Sequence, residues 1–240
     1  MQITNAIAVI TGANRGIGYA LVKALLDAGA PKVYATARKL ENLAAVTALD
    51  STRVIPLQVD VTNLSEVSAL PQQAADANLL INNAGVLSFG SILDVPPATL
   101  SQQFDTNFYG VLNMARAFVP TLERHQGAIV NMLTLVALVS MPGIAAYNAS
   151  KAAAWSMTQS LRASLADQGI QVYGVFPGAV DTDMLAGVDM VKTSPAEIAT
   201  AVLQGLETEQ EDIFPDPMAT QVYTAWKQDH KAVEKQFATM

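Results

Sequence analysis

One alternation, repeated along most of the chain, constrains the fold more than any single residue. Six short runs rich in β-branched and apolar residues (Ala6–Ile10, Lys32–Thr36, Arg53–Val59, Leu79–Ile81, Ala128–Met132 and Gln171–Phe176) are separated by stretches with helical spacing. Strands that alternate with helices at this interval need crossover connections, which are right-handed and lay helices on both faces of a parallel sheet. A continuous apolar run such as Ala6-Ile7-Ala8-Val9-Ile10 suits a strand buried on both sides. The pattern therefore predicts an α/β fold, a doubly wound parallel sheet. At 240 residues, with no linker, internal repeat or low-complexity tract, it fits one domain over 1–240.

Composition removes several classes of function. Net charge is −7 and no basic run occurs, which argues against nucleic-acid partners. The chain has no cysteine, so disulfides and thiolate metal sites are excluded, and its two histidines, His125 and His230, lie far apart in polar surroundings. No metal site is expected. Apolar residues make up 51% of the chain and charged residues only 15%, few charges for a monomer's surface, which predicts a homo-oligomer. The segment Gln126–Ser150 carries no charge and is long enough to span a bilayer, but Asn131, Thr134, Ser140, Pro142, Gly143, Tyr147 and Asn148 break it into strand, loop and helix start. The N-terminal Met1-Gln2-Ile3-Thr4-Asn5 lacks the positive charge and apolar stretch of a signal peptide. The expectation is a soluble cytoplasmic protein with no membrane association.

Directly after the first strand comes Thr11-Gly12-Ala13-Asn14-Arg15-Gly16-Ile17-Gly18, then an apolar helix. Glycines there let the backbone turn tightly and approach a pyrophosphate, which the free N–H groups of a helix N-terminus stabilise. A strand–helix turn can also need glycine for geometry alone, so the loop does not decide the matter by itself. Its spacing, G-x-x-x-G-x-G, resembles the cofactor loop of the short-chain dehydrogenase/reductase superfamily, and later motifs agree in order. Asp60-Val61-Thr62 matches that family's adenine contact, Asn82-Asn83-Ala84-Gly85 its signature after strand 4, and Pro177-Gly178-Ala179-Val180-Asp181-Thr182 its nicotinamide-side loop.

The resemblance covers about residues 5–185. It implies a Rossmann-type sheet of seven strands in the order 3-2-1-4-5-6-7. It also implies a dinucleotide held by Gly12, Asn14, Arg15, Gly16, Ile17, Gly18, Arg38, Asp60, Val61, Asn83, Ala84, Gly85, Pro177, Gly178, Val180 and Thr182, with Tyr147 and Lys151. The loops that carry these residues gather at the carboxyl edge of the strands. At the end of strand 2, an NAD enzyme places an acidic residue on the ribose 2′-hydroxyl; here Ala37 is followed by Arg38, with Arg15 in the glycine loop. Two guanidiniums suit a 2′-phosphate, and NADP(H) is the expected cofactor.

Tyr-x-x-x-Lys, the family's catalytic spacing, occurs three times: Tyr19/Lys23, Tyr147/Lys151 and Tyr223/Lys227. Each pair lies one helical turn apart. Only Tyr147 follows a strand that ends in hydroxyl-bearing residues, and only it is followed by small residues, Asn148-Ala149-Ser150. A lysine one turn away, together with the positive nicotinamide of the oxidised complex, is expected to favour the phenolate of a tyrosine whose free pKa is about 10. Thirteen residues before Tyr147 the family usually has serine as the donor that polarises the carbonyl; this chain has Thr134, which keeps the hydroxyl and adds a methyl. A strand-end threonine can also simply satisfy backbone groups. Asn107 matches the family's mid-chain helical asparagine, which holds a water relaying protons to the lysine.

The implied activity is an NADPH-dependent carbonyl reductase, reversible as an alcohol dehydrogenase. The segment after Thr182, about 183–195, is the implied substrate lid; from Asp183 to Val191 it is Met-rich and bears no cation, which points to a small, largely apolar ketone or aldehyde. A rival reading is a catalytically idle dinucleotide-binding module that acts as a sensor or docking subunit. A hydrolase is excluded by the lack of a Gly-x-Ser-x-Gly elbow. At the end, a Pro-bounded strand over Ile213–Pro217 leads into one polar helix at about 218–237, where many family members have a Gly-rich strand. For a homo-oligomer, dimer or tetramer, the helices at about 98–124 and 147–168 are the expected dimer face.

Overall fold

The computed structural model describes residues 1–240. In chain order the principal elements are β1 (Ile7–Ile10), α1 (Gly16–Asp27), β2 (Lys32–Ala37), α2 (Ala44–Thr47), β3 (Val54–Gln58), α3 (Leu64–Gln73) and β4 (Leu79–Asn82). There follow α4 (Pro97–Phe104), α5 (Val111–Arg124), β5 (Ala128–Met132), α6 (Ala145–Leu165), β6 (Gln171–Val175), α7 (Pro195–Glu207), β7 (Asp212–Ile213), α8 (Pro217–Gln228) and α9 (His230–Phe237). All seven strands pair in parallel, in the order β3-β2-β1-β4-β5-β6-β7. This is the doubly wound Rossmann-type sheet that the alternation and the resemblance predict.

Strand pleating decides which side chains face which helices. Ala8 and Ile10 of β1 join Val33, Ala35, Ile81 and Val130 in a core under α1 and α7, where Leu21, Leu25, Ile198 and Val202 complete it. Val9, between them, points the other way, to Leu80, Ile129 and Val172 under α3 and α5, with Leu70, Met114 and Phe118. A strand covered on both faces has no polar position to spare, which is why the central strands read as unbroken apolar runs. Pro56 sits inside β3 because β3 is an edge strand and pairs only with β2, so one side of it needs no donor.

Three expectations about elements need correction. The strand expected over Ile213–Pro217 ends at Ile213: Asp216 leaves the sheet to cap α8, accepting from the Ala219 N–H (2.8 Å), with Pro217 at the first helical position. The expected single helix at 218–237 is two, broken at Asp229, whose side chain caps α9 through the Ala232 N–H (3.0 Å). The stretch 98–124 is not one regular helix either: a π-turn, Asp105–Gly110, separates α4 from α5. No helix is long and apolar enough to cross a membrane.

Candidate active site

The loops that leave the carboxyl ends of the strands line one long crevice. Gly12, Asn14, Arg15, Gly16 and Ile17 line it after β1, Arg38 after β2, and Asp60 and Val61 after β3. Asn83, Ala84 and Gly85 follow β4, Thr134 follows β5, Tyr147 and Lys151 come from α6, and Pro177, Gly178, Val180 and Thr182 follow β6. Because β3 and β2 lie on one side of the sheet centre and β5 and β6 on the other, Arg38 stands at the end away from Tyr147, while Arg15, after β1, reaches across to the segment after β6.

The glycine loop is clipped rigidly in place. Asn83 Nδ2 donates to the carbonyls of Thr11 (2.9 Å) and Gly12 (3.1 Å), and Thr11 Oγ1 accepts from the N–H groups of Asn83 and Ala84 (2.9 Å each). Gly12 and Gly16 take left-handed φ of 64° and 54°, which side-chain-bearing residues seldom adopt. Arg15 stands at the N-cap of α1 without a side-chain capping bond, and the first turn has no acidic residue. The helix N-terminus thus faces the crevice with its backbone donors left for an anion. Arg15 Nη1 pairs with Asp183 of the segment after β6 (2.8 Å), both exposed, while Arg38 is exposed and unpaired. Asp60 turns its Oδ1 to its own loop, accepting from Thr62 N (2.9 Å) and Oγ1 (2.7 Å).

At the far end three side chains come together under cover: Thr134, Tyr147 and Lys151 are 7%, 8% and 4% exposed. Lys151 Nζ donates to the Met132 carbonyl at the end of β5 (2.7 Å) and lies 5.8 Å from the Tyr147 ring centre. Burial pushes the Lys151 amine down to about 8. Burial also drives the Tyr147 hydroxyl well above its usual value, and the Thr134 hydroxyl beside it pulls only partly against that. In the chain alone desolvation dominates over any lowering by Lys151. Thr134 Oγ1 also donates to the Pro177 carbonyl (3.3 Å) and accepts from Val136 N (3.4 Å); both contacts are long.

Two expected residues sit behind the crevice. Gly18 is buried in the first turn of α1. Asn107 is fully buried in the π-turn: its Nδ2 donates to the Val86 carbonyl (2.9 Å) and Ser150 Oγ (3.0 Å), and its Oδ1 accepts from Val86 N (2.9 Å). Its side chain thereby fixes Val86 in the loop after β4. A Cβ on Gly85 would come within 3.3 Å of Asn107 Oδ1, a tight contact that Asn107 would have to yield to by a few tenths of an ångström.

The other two Tyr-x-x-x-Lys pairs serve different ends. Lys23 is exposed and pairs with Asp27 (2.5 Å). Tyr223 stacks on Phe214 at 3.9 Å between ring centres, with Lys227 over its other face at 4.7 Å. Sequence reasoning missed Asp216, a buried carboxylate whose Oδ2 accepts from Gly178 N (2.8 Å) and so ties the loop after β6 to α8. Its signal was there: an Asp before Pro is a helix N-cap pattern. It also missed Met218 and Phe237, which share a cluster with Tyr147 and line the crevice, and Met240, which lines the crevice too. No group of acidic or histidine side chains could hold a metal.

A family model described as short chain dehydrogenase matches residues 6–192. The chain belongs to the short-chain dehydrogenase family. A short chain dehydrogenase from Burkholderia cenocepacia J2315, solved in complex with NADP, is 39% identical and superposes with a TM-score of 0.93 over 99% of both chains. An uncharacterized oxidoreductase of Staphylococcus aureus (strain N315) is 36% identical over 214 residues, 85% of this chain and 92% of the relative. A family member from Burkholderia phymatum, solved with NAD, is 24% identical with a TM-score of 0.86 over 98% of this chain and 96% of its own, a likeness of fold alone. As a short-chain dehydrogenase the protein is an NAD(P)-using oxidoreductase.

Proposed function

We propose that this short-chain dehydrogenase uses NADPH to reduce the carbonyl of a small, largely apolar ketone or aldehyde, and runs in reverse as an alcohol dehydrogenase. The observation that carries this reading is the buried Tyr147–Thr134–Lys151 cluster in a crevice whose opposite end presents Arg38, with Arg15 in the glycine loop after β1. The donors fit a dinucleotide: an uncapped helix N-terminus for the pyrophosphate, and two guanidiniums with no carboxylate at the end of β2 for a 2′-phosphate. Gly12, Asn14, Gly16 and Ile17 would cradle the phosphates, Asp60 and Val61 would border the adenine, and Asn83, Ala84, Gly85, Pro177, Gly178, Val180 and Thr182 would flank the remainder. When bound, the cofactor supplies the hydride.

The chain's own residues then handle the oxygen and the proton. Burial keeps Tyr147 protonated at neutral pH, the state a proton donor to the incoming alkoxide needs. Thr134 lends a second hydroxyl to the same oxygen and stabilises its developing charge. Lys151, held by Met132 O one turn from Tyr147, would bind the cofactor beside it, and Asn107 is a positioning residue through Val86 and Ser150. Six of the nine methionines (Met132, Met141, Met184, Met190, Met218 and Met240) line the crevice, and the one cation at the Tyr147 end is Lys151. Such thioether walls adapt to apolar shapes and offer nothing to a carboxylate.

The test is NADPH oxidation with an aryl ketone, compared with NADH, in wild type and in a variant carrying Ala37→Asp and Arg38→Ser. Wild type should favour NADPH, and the variant should move the kcat/KM ratio toward NADH by tenfold or more, about 1.4 kcal/mol in transition-state binding. A wild-type enzyme with higher kcat/KM for NADH overturns the cofactor assignment; a keto acid as the best substrate in a panel overturns the apolar one.

A further inference from the structure

The last helix is polar except on one face, and that face lies on the active site. In α9, Val233 and Phe237 are each 4% exposed while Lys231, Glu234, Lys235 and Gln236 face solvent. Their i,i+4 spacing puts both on one stripe. Neither belongs to the two cores that pack against the sheet. Both join the cluster that contains Tyr147, Leu135, Val136 and Val139 together with Ala219 of α8, flanked by Leu87, Met141 and Met218 and by Val222 and Trp226 of α8. The break at Asp229, with φ −152° and ψ 87°, turns the chain so that α9 lies there. Phe237, together with Met218 and Met240, also lines the crevice itself. Packed between α8 and this cluster, α9 presents Phe237 to the reacting end of the crevice and shapes what can enter there.

We propose that Phe237 is a size-determining residue for the substrate: its ring closes an apolar subsite that takes the larger substituent of the carbonyl compound, an aryl or branched alkyl group, with Met218 and Met240 as yielding flanks. This rests on the carbonyl-reductase reading and deepens it. A phenyl ring is a stiff wall, since it has only two side-chain torsions, whereas the methionines beside it can change rotamer. Volume lost or gained at Phe237 therefore appears as a change in which substituent fits, and one methylene in such a pocket is worth roughly 10–200-fold in discrimination.

The experiment compares wild type, Phe237→Ala, Phe237→Leu and Phe237→Trp with a bulky and a compact ketone, all with NADPH. Phe237→Ala should raise the bulky-to-compact ratio of kcat/KM about tenfold or more, Phe237→Leu should raise it less, and Phe237→Trp should lower it. A residue that only anchors α9 would not move the ratio in opposite directions in the smaller and larger variants. Calorimetric binding of matched aryl and alkyl amides, carbonyl compounds that are not reduced, to the NADPH complex gives a readout free of turnover. Should no ketone be reduced while amide selectivity still moves oppositely in Ala and Trp, the activity reading fails and the subsite stands. Both ratios unchanged, or moved in the same direction by Ala and Trp, overturn the proposal. If the Ala variant loses α9, the Leu and Trp variants decide by the same criterion.

Discussion

Thr134 occupies the place where the chain departs from its family's serine, and its hydroxyl has two kinds of neighbour. It touches backbone at Pro177 O and Val136 N through long contacts of 3.3 and 3.4 Å, and it acts on the Tyr147 hydroxyl. If the second role governs, Thr134→Ala lowers kcat by roughly 10²-fold or more, the scale for one lost donor to an oxyanion. Thr134→Ser retains or raises kcat, because the hydroxyl regains rotamer freedom. Equal kcat for the folded Ala and Ser variants at saturating NADPH would make the residue structural and favour the idle-module reading. Lys151 yields a stability prediction with a definite sign. Its folded-state value of about 8 lies below the ordinary 10.5, so folding disfavours its charge at every pH below 10.5. Replacing it with methionine should stabilise the fold by an amount that is constant below pH 8 and falls by about 3 kcal/mol between pH 8 and 10.5. Urea unfolding of both proteins across that range checks it; a pH-independent difference would mean the amine titrates normally. The cluster was legible because the family resemblance assigns the position thirteen residues before Tyr147 to a hydroxyl donor, here Thr134, and because only Tyr147 of the three tyrosines follows a hydroxyl-bearing strand end. Asn107 was legible as a position but not as a contact: the π-turn that aims it at Val86 and Ser150 has no pattern in the residues.

Elements followed the same logic. Strands with a double-sided apolar run were placed to within a residue or two, since burial on both faces leaves one way to read them. The C-terminal segment was not, because Ile213-Phe214-Pro215-Asp216-Pro217 has strand-like residues, yet its fate is set by where Asp216 finds donors. That carboxylate joins the N–H groups of Gly178 and Ala219, coupling the loop beside Thr134 to α8 and, through α8, to α9. Asp216→Ala should therefore cost about 1–2 kcal/mol for the cap, with a further cost for the orphaned Gly178 N–H. Asp216→Asn, which keeps one acceptor, should recover part of it. Chemical denaturation reads both, and an Ala variant as stable as wild type would show that the coupling is not there.

At the scale of the whole molecule, strand order was legible because right-handed crossovers and short connections leave few ways to wind such a chain. What the sequence could not show was how distant segments share the crevice: Arg15 meets Asp183 across 168 positions, and Phe237 reaches the cluster around Tyr147 only after the turn at Asp229. The account's central claim is that Tyr147, alone of the three tyrosines with a lysine one turn on, hands the proton to a carbonyl oxygen during NADPH-dependent reduction. The most direct measurement is steady-state NADPH oxidation with an aryl ketone by wild type, Tyr147→Phe and Tyr223→Phe, with NADPH affinity measured in parallel by fluorescence. Tyr147→Phe should bind NADPH and lose roughly 10²–10⁴-fold in kcat, while Tyr223→Phe turns over within a few-fold of wild type. A Tyr147→Phe enzyme that reduces the ketone at the wild-type rate would contradict the account.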